Sequence, residues 1–354
     1  MKAIAKQQPT EPGIDLVEVP QPTIQAPDDV LVRVAVSSIS GSELNIWRGA
    51  YRRPNGSPVA PGRILGYEHA GTVVNAGPAA AAAGFVPGRP VALGSPFTGC
   101  GVCPPCLMGT INRCRNWGHV GITADGTNAD YAVLPMGVLQ LVNEHVDPLD
   151  VAFLNSAALA VRAVDRAGMV AGDRVAVVGP GPVGLLLLQA AKAMGAAWTG
   201  VVGLPTDAGR LEIARQLGAD AVFTYGDDTI ADVREVTDGL GTEVVLEAAG
   251  TPEGMKLAVD LTRVGGTTVF AGLPPQKIAP IEAIRVTRDE LTIRGVEGNL
   301  PDDRRRALRL IAQGKLRARP FVTHEFALDD AAAAFTTAAS GDACKVVLRM
   351  ASPA

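Results

Sequence analysis

The sequence predicts an α/β protein with two domains, a β-rich domain and a doubly wound parallel sheet. The chain has 354 residues, more than one ordinary hydrophobic core accommodates. Residues 1 to about 150 contain short β-branched runs separated by glycine and proline, without any alternation of strand and helix. From about residue 151 onward, apolar strands alternate with helical patterns, as in a parallel sheet covered by helices.

The composition is typical of a globular, cytoplasmic enzyme. The chain is 47% hydrophobic and 19% charged, with a formal net charge of -4, so no electrostatic footprint indicates nucleic acid binding. Its one basic cluster, residues 304–306, lies in a predicted helix and is interpreted as a solvated helix face. The N-terminus lacks a secretory signal and no apolar run is long enough to cross a bilayer, so we expect no membrane partner.

The first region should form a β-rich domain. The runs 30–40, 70–77 and 129–135 are rich in β-branched residues and are bounded by turn residues, which predicts strands. The alanine-rich segment 77–85 has low complexity and is interpreted as a surface loop.

A cluster of four cysteines predicts a metal site in this domain. Cys100, Cys103, Cys106 and Cys114 fall within fifteen residues, whereas Cys344 stands alone. Four thiolates satisfy tetrahedral zinc and leave no open position, which indicates a structural site in a lobe of about residues 95–118. An iron-sulfur cluster also uses four cysteines, but the short proline-rich spacers in a β domain favour zinc.

A glycine-rich turn in the second region predicts a dinucleotide site. The segment 175–184, "VAVVGPGPVG", ends a strand and begins a helix. Its first glycine permits the turn, its second lets backbone approach a pyrophosphate, and its third lets helix and strand pack closely. The residues expected to bind the phosphates at the helix N-terminus are Gly179, Gly181, Pro182, Val183 and Gly184. A tight turn without a ligand is the alternative.

The end of the next strand bears on the choice of nucleotide. Pro205 occupies the position where an acidic residue would hold the ribose diol of NAD, and Thr206 and Arg210 are suited to a 2'-phosphate. Asp207 leaves NAD(H) possible, because a modest loop shift would bring it to the diol; it is otherwise a solvated turn residue or a helix cap. The sequence favours NADP(H).

With both motifs placed, the chain resembles the zinc-containing alcohol, polyol and threonine dehydrogenases of the medium-chain dehydrogenase/reductase superfamily. The resemblance runs almost from end to end and includes "GYEHAGTV", the four-cysteine lobe, "GTNADYAVLP", "GPGPVG", "LGAD", "EAAG", "LTIRG" and "CKVVL". It implies a GroES-like catalytic domain made of residues 1–150 and 296–354, with a Rossmann domain, 151–295, inserted within it. It also implies NAD(P)-dependent hydride transfer to or from a small molecule in the cleft between the domains, and a homodimer or homotetramer.

The chain departs from this family at the ligands of the catalytic zinc. Ser40 and Tyr67 stand where the family has its first cysteine and its histidine, and Asn155 stands at the acidic position. Neutral hydroxyl and amide groups are poor zinc ligands at neutral pH. We therefore expect one zinc per chain, in the cysteine lobe. A relocated metal beside Glu68, held by Tyr67 and His69 on one face of an extended segment, is a further alternative.

The same replacements suggest a different way of polarising a substrate. Tyr67 is the best candidate donor to a developing oxyanion, while Ser40 and Asn155 would orient the substrate or pair with each other. Ser42 keeps the hydroxyl of the family's proton relay, but Asn45 replaces its histidine, so a base for alcohol oxidation is missing. We therefore expect reduction to be favoured.

Three functions remain open at this point. The first is a reductase that transfers hydride from NADPH to a small activated substrate: an iminium, a conjugated enone or a ketone. The second is a polyol, sugar or amino-alcohol dehydrogenase, and the third is a catalytically inactive nucleotide-binding protein. The retained Glu68 belongs to the expected site, whereas His119, beside the cysteine lobe, has no partner that the sequence identifies.

Overall fold

The structure is a computed structural model, and it describes residues 1–53, 55–274 and 278–351. The strands are β1 Lys2–Lys6, β2 Asp15–Glu18, β3 Asp29–Ser38, β4 Arg63–Ile64, β5 His69–Ala76, β6 Pro90–Leu93, β7 Phe97–Thr98, β8 Gly118–His119, β9 Tyr131–Pro135, β10 Leu139–Leu141, β11 Arg174–Val178, β12 Trp198–Gly203, β13 Ala221–Thr224, β14 Thr242–Glu247, β15 Thr262–Phe270, β16 Thr292–Gly295, β17 Val322–Ala327 and β18 Lys345–Arg349. The helices are α1 Gly41–Trp47, α2 Pro78–Ala82, α3 Pro104–Leu107, α4 Pro148–Ala152, α5 Leu154–Ala167, α6 Pro182–Ala193, α7 Ala208–Gln216, α8 Thr229–Glu235, α9 Pro252–Leu261, α10 Ala283–Arg288, α11 Pro301–Ala312 and α12 Ala331–Ser340.

The first of two compact units comprises Met1–Asn155, Gly298–Ala312 and Val322–Ala354. Its main sheet has the order β10-β6-β5-β3-β18-β17, with β9 also paired to β3, and a smaller sheet has the order β2-β1-β4. Strand β18 joins the sheet antiparallel to β3, so the end of the chain completes the β-rich unit that its beginning starts.

The second unit comprises Ser156–Glu297 and Gln313–Phe321. Its sheet has the order β13-β12-β11-β14-β15-β16, and the pairs within it are parallel. The predicted doubly wound parallel sheet is confirmed. The strand order reverses between β11 and β14, which is where sheets of this kind bind their ligands.

The structure changes the predicted extent of the two regions. Residues 313–321 pack with the second unit, whereas the sequence assigned them to the first. The reason is a buried side chain on α6: Gln189 accepts a hydrogen bond from the backbone N–H of Arg317 at 2.8 Å and donates to the Arg317 carbonyl at 3.1 Å.

Two local expectations are also wrong. The segment predicted as a loop contains α2, because Pro78 begins a helical turn and Ala80 packs into the core. Arg304 is not on a solvated face: it is 5% exposed, and its guanidinium donates to the carbonyl of Gly137 at 3.1 Å. Among the described residues, none of the helices is both long enough and apolar enough to span a bilayer.

Candidate active site

The cysteine lobe fits a tetrahedral metal ion. The Sγ atoms of Cys100, Cys103, Cys106 and Cys114 all lie within 4.8 Å of one another, and those of Cys103 and Cys114 are 3.8 Å apart. Zinc–thiolate bonds of about 2.3 Å in a regular tetrahedron place the sulfurs about 3.8 Å apart, so the four thiols match a structural zinc site. The fifth cysteine, Cys344, is buried.

The turn after β11 is shaped for a dinucleotide. Gly179 has a φ of +99°, and a Cβ there would meet the backbone nitrogen of Ala249 at 2.7 Å. A Cβ on Gly184 would meet the carbonyl oxygen of Gly179 at 1.9 Å, which is why helix and strand need glycine there. Gly181, by contrast, faces open space and caps α6 without a side-chain hydrogen bond. The helix N-terminus, which begins at Pro182, therefore leaves room for a phosphate.

The residues after β12, where a ribose would bind, include groups suited to NADP and a carboxylate suited to NAD. Thr206 is exposed on the turn that follows the strand. Asp207 accepts a hydrogen bond from the N–H of Leu204 at 3.0 Å and an ion pair from Arg210 at 3.1 Å. Asp207 is thus a turn-closing residue rather than a solvated one, and Arg210 lies beside it on α7.

The N-terminus of α1 brings a serine and a carboxyl group together. Ser40 caps the helix: its Oγ accepts from the N–H of Glu43 at 3.3 Å, and its own N–H donates to Oε2 of Glu43 at 2.9 Å. This reciprocal pair is a capping box, for which serine followed three residues later by glutamate is the sequence signature. Oε1 of Glu43 accepts a hydrogen bond from Nδ2 of Asn128 at 2.7 Å, so both oxygens of this buried carboxyl group are engaged.

Tyr67 lies against the same helix end. Its ring is partly buried, and the hydroxyls of Ser40 and Ser42 act to lower the pKa of its phenol. Burial raises the pKa of the Tyr67 phenol, and the carboxylates of Glu68 and Glu43 raise it further. Tyr67 is therefore held as a neutral phenol that can donate a hydrogen bond.

Glu68 lies behind Tyr67 in a buried ion pair. Its Oε2 accepts from Nζ of Lys345 at 2.8 Å and from the hydroxyl of Ser38 at 2.5 Å. The side chains of Lys345 and Glu68 are 8% and 4% exposed, and the Lys345 ammonium also lies 5.3 Å from the ring centroid of Phe153. Such a pair fixes the segment between β4 and β5 that carries Tyr67, because removing either partner leaves a buried charge uncompensated.

An aromatic cluster surrounds His119. Its ring lies 4.9 Å from that of Tyr67, 5.1 Å from Phe97 and 5.7 Å from Trp117, always edge to face. Nδ1 of His119 contacts the carbonyl oxygen of Val120 at 2.6 Å and must donate to it, so Nε2 carries the lone pair. Burial lowers the pKa of His119 to about 4, which keeps the ring neutral at pH 7.

The remaining predicted site residue at a family ligand position, Asn155, is held by a neighbouring amide. Oδ1 of Asn155 accepts from Nδ2 of Asn299 at 2.9 Å, and that same amide donates to the carbonyl of Gly94 at 2.9 Å. Ser40 is hydrogen bonded to Glu43 and Asn155 to Asn299, so each of the two has a partner of its own. Asn45 is exposed on α1.

Among the described residues, the structure shows no second set of ligands for a relocated metal beside Glu68. Within the described part of the chain, the cysteine quartet is the one cluster of three or more His, Cys, Asp or Glu side chains arranged to hold a metal ion. His69 is fully buried, and burial lowers its pKa to about 3. Neither of its ring nitrogens has a hydrogen-bond partner in residues 1–53, 55–274 and 278–351.

Sequence reasoning missed several residues of this site. The serine and glutamate of the capping box were visible as a spacing, and that signal would have found Glu43. Nothing local would have found Asn128 or Lys345, or the partners of His119, since these contacts join segments far apart in the chain. Lys345 and Glu68 are separated by 277 positions.

Comparison with known proteins identifies similar chains along almost the whole length. Residues 26–143 match the family model for the alcohol dehydrogenase GroES-like domain, and residues 182–313 match that for zinc-binding dehydrogenases. A sorbitol dehydrogenase from Halalkalibacterium halodurans is 32% identical over 98% of this chain and 99% of its own. An L-threonine 3-dehydrogenase from Streptomyces coelicolor is 33% identical over 98% and 99%. A crystal structure of a zinc-binding dehydrogenase from Sinorhizobium meliloti bound to NADP is 31% identical, with a TM-score of 0.88 and 98% of each chain covered.

Proposed function

We propose a reaction for this chain from one established premise: it belongs to the zinc-type alcohol dehydrogenase family of the medium-chain dehydrogenase/reductase superfamily, and it is an NAD(P)-dependent oxidoreductase. The reaction is reduction of a small activated substrate, an iminium, a conjugated enone or a ketone, without a catalytic zinc. The observation that carries this proposal is the chemistry at the family's ligand positions. These positions hold neutral hydroxyl and amide groups, those of Ser40, Tyr67 and Asn155. Ser40 is hydrogen bonded to Glu43, and Asn155 is hydrogen bonded to Asn299.

The nucleotide in this proposal is NADP(H). The open cradle at Gly181 suits a pyrophosphate, and Thr206 and Arg210 follow the strand that ends near the ribose. The similar Sinorhizobium meliloti protein is bound to NADP, which supports the same choice here. Bound NADPH supplies the hydride. To bind the 2'-phosphate, Arg210 would have to break its ion pair with Asp207. If it keeps that ion pair, NAD(H) is the alternative.

Tyr67 polarises the substrate in this proposal. A metal acting as Lewis acid contributes several kcal/mol to stabilising a developing alkoxide, and a preorganised donor supplies about 3 kcal/mol of this. Because burial keeps the Tyr67 phenol protonated, it donates to the oxygen as charge develops there. Ser42 supports its hydroxyl, Asn155 orients the substrate, and Glu68 anchors the segment that carries Tyr67.

The cysteine quartet holds the one zinc of this proposal, in a structural role. We also propose a homodimer or homotetramer that acts in the cytoplasm, where reduced thiols favour metal ligation over disulfides.

A panel of substrates tests the proposed reduction. The purified protein is mixed with NADPH and, in separate reactions, trifluoroacetophenone, cyclohexenone and N-methyl-3,4-dihydroisoquinolinium, and NADPH oxidation is followed by absorbance. We expect turnover of at least one probe before and after dialysis against a chelator that leaves the cysteine-bound zinc in place. Turnover that disappears with such dialysis and returns with added zinc contradicts the proposal.

A polyol, sugar or amino-alcohol dehydrogenase is the second candidate, and the sorbitol and threonine dehydrogenases among the relatives favour it. NADP+ or NAD+ reduction with sorbitol or L-threonine, without reduction of any probe of the panel, would establish it instead. Tight nucleotide binding without turnover of any of these compounds would support the third reading, an inactive nucleotide-binding protein.

A further inference from the structure

A buried asparagine holds the amide of Asn155. Asn299 is fully buried and lies just before α11. Its Nδ2 donates to Oδ1 of Asn155 at 2.9 Å, and it also donates to two backbone carbonyl oxygens, that of Gly94 at 2.9 Å and that of Asn155 at 3.2 Å. The side chain of Asn155, by contrast, is only partly buried, so a ligand can reach it.

The two backbone carbonyls determine which way both amides point. A carbonyl oxygen accepts hydrogen bonds and cannot donate them, so the Asn299 atom that faces the carbonyls of Gly94 and Asn155 is its nitrogen. The Asn155 atom that faces this nitrogen must in turn be an acceptor, which is Oδ1. Nδ2 of Asn155 therefore lies on the branch of the amide that is turned away from Asn299. Among the residues that the structure describes, no hydrogen bond engages this Nδ2.

We propose that Asn299 is a positioning residue that makes Asn155 a hydrogen-bond donor to the substrate oxygen. This inference rests on the proposed reductase function and deepens it. Asn155 touches the substrate in this scheme and gives up no proton, while Asn299 acts only through Asn155. An ionised acidic residue at this position, as in the family, would offer acceptors alone. An asparagine held in this orientation offers a donor instead.

Packing around Asn299 keeps its amide in place. A Cβ on Gly94 would meet Cδ of Arg304 at 2.6 Å, so only glycine lets α11 approach this turn so closely. The guanidinium of Arg304 is itself held by the carbonyl of Gly137. Oδ1 of Asn299 is buried and has no hydrogen-bond partner in the described part of the chain. A rotated Asn299 would lose the hydrogen bonds of its Nδ2 and place an oxygen against two carbonyl oxygens, which is unfavourable in a buried site.

The segment that carries Asn299 lies near the aromatic cluster around Tyr67. The backbone of Gly298 lies against the ring of Phe97, because a Cβ there would meet Cε2 at 2.8 Å. The Phe97 ring packs against that of His119 at 5.1 Å, and the His119 ring packs against that of Tyr67 at 4.9 Å. Asn299 is therefore joined to the surroundings of Tyr67 through a continuous set of packed rings.

Asn155 is joined to the same surroundings from its other side. Phe153, two positions earlier, lies with its ring centroid 5.3 Å from Nζ of Lys345. That ammonium pairs with Glu68, the residue that follows Tyr67 in the chain. In this proposal the two donors, the amide of Asn155 and the hydroxyl of Tyr67, share one substrate oxygen.

A second donor narrows the substrate class. Hydride addition to a ketone or a conjugated enone moves a π electron pair to oxygen, and donors that face this oxygen stabilise the charge that develops there. An iminium is a cation without such an oxygen, so donors that face it give no stabilisation. Of the three activated classes, this inference therefore selects the ketone and the enone.

Neutron diffraction tests the orientation of the two amides directly. In crystals of the perdeuterated protein, nuclear density distinguishes a deuterated nitrogen from an oxygen. We expect deuterons on the Asn155 atom that is turned away from Asn299 and none on the atom that faces it. The opposite orientation of Asn155 overturns the inference, whatever the protein reduces.

Kinetics with NADPH and trifluoroacetophenone tests the role of Asn299. Asn299→Asp puts acceptors in place of the donor, so Asn155 must turn its own nitrogen toward it and present Oδ1 to the substrate. Loss of an oxyanion donor costs about 10²–10³ in kcat. Because Tyr67 still donates, we expect kcat to fall about tenfold or more, with little change in KM. Asn75→Asp, the same change on an exposed residue of β5, should leave kcat unchanged.

A double-variant cycle separates positioning from a general structural role and covers the case in which Asn299→Asp fails to fold. Asn155→Ala removes the donor itself and should lower kcat about tenfold or more. Asn299→Ala, which buries no new charge, should lower kcat in the wild type and have little further effect in Asn155→Ala, because it acts through that residue. An unchanged kcat for Asn299→Ala alone, or losses that multiply in the double variant, overturns the inference.

The choice of probe separates this inference from the proposed function. A wild type that reduces N-methyl-3,4-dihydroisoquinolinium but neither trifluoroacetophenone nor cyclohexenone overturns the inference and leaves the reductase function standing. A wild type that reduces none of the three probes contradicts the proposed function itself, and neutron diffraction then decides the orientation of Asn155 alone.

Discussion

Replacing Tyr67 with phenylalanine removes one oxygen atom from the site and little else. The ring packs edge to face against His119 at 4.9 Å, a contact that phenylalanine keeps. The hydroxyls of Ser40 and Ser42 lose a polar neighbour, which should lower the free energy of unfolding by about 1 kcal/mol each at most. Loss of a donor to a developing oxyanion raises the barrier by about 2.7–4 kcal/mol, or about 10²–10³ in kcat. Because Ser42 lies close enough to replace part of the donation, we expect a loss of between about tenfold and a hundredfold.

Single-turnover measurements with NADPH and trifluoroacetophenone report the chemical step. The rate constant should fall by that factor while KM for the ketone changes little, because the hydrogen bond strengthens only as charge develops. Reduction of an iminium probe should be far less affected, since it creates no oxyanion. Tyr131→Phe, which removes a hydroxyl from β9 elsewhere in the same unit, is the matched control. A rate constant for Tyr67→Phe within twofold of the wild type would remove this residue from the mechanism.

Three further outcomes follow from the same geometry. Lys345→Met should lower the free energy of unfolding by about 3–5 kcal/mol, because it leaves the buried Glu68 carboxylate without its cation. Adding Glu68→Gln to the same chain should recover much of that loss. A loss below about 1 kcal/mol, which is typical of a surface ion pair, would contradict a buried pair. The pKa of Glu43 is raised from 4.5 to about 7 on folding, so its stabilising contribution is complete below the unfolded value and is lost as pH rises through the folded one. The melting temperature of the wild type relative to Glu43→Gln should therefore fall between those pH values, by the equivalent of about 3 kcal/mol, and a constant difference would refute the assignment. Arg210→Ala should raise the Kd of NADPH about tenfold or more, as the loss of a charge-assisted hydrogen bond does, and leave that of NADH nearly unchanged; equal losses for both nucleotides would exclude Arg210 as the 2'-phosphate ligand.

The sequence predicts well those features that depend on the spacing of residues close together in the chain. The glycines of the dinucleotide turn follow from backbone geometry, since a Cβ at Gly184 would overlap the preceding turn. The four cysteines come together because only short segments separate them in the sequence. The alternation of strands and helices after residue 151 predicts the parallel sheet in the same way.

The catalytic environment could not be predicted because it depends on which groups share a buried space. Asn155 finds Asn299 only because the chain returns to the first unit after the sheet of the second, 144 positions later. The raised pKa of Glu43 comes from burial and, to a smaller extent, from the charge of Glu68, neither of which has a local signature. The resemblance to the dehydrogenase family led to Ser40, Tyr67 and Asn155 as candidate positions, and packing determines what they do.

In the proposed reaction, protein hydroxyl and amide dipoles, rather than a bound cation, polarise the substrate oxygen. Anomalous diffraction at the zinc edge, from crystals grown with NADPH, distinguishes the two. We expect one anomalous peak per chain, between the sulfurs of the cysteine quartet. A second peak within bonding distance of the Tyr67 hydroxyl would contradict it.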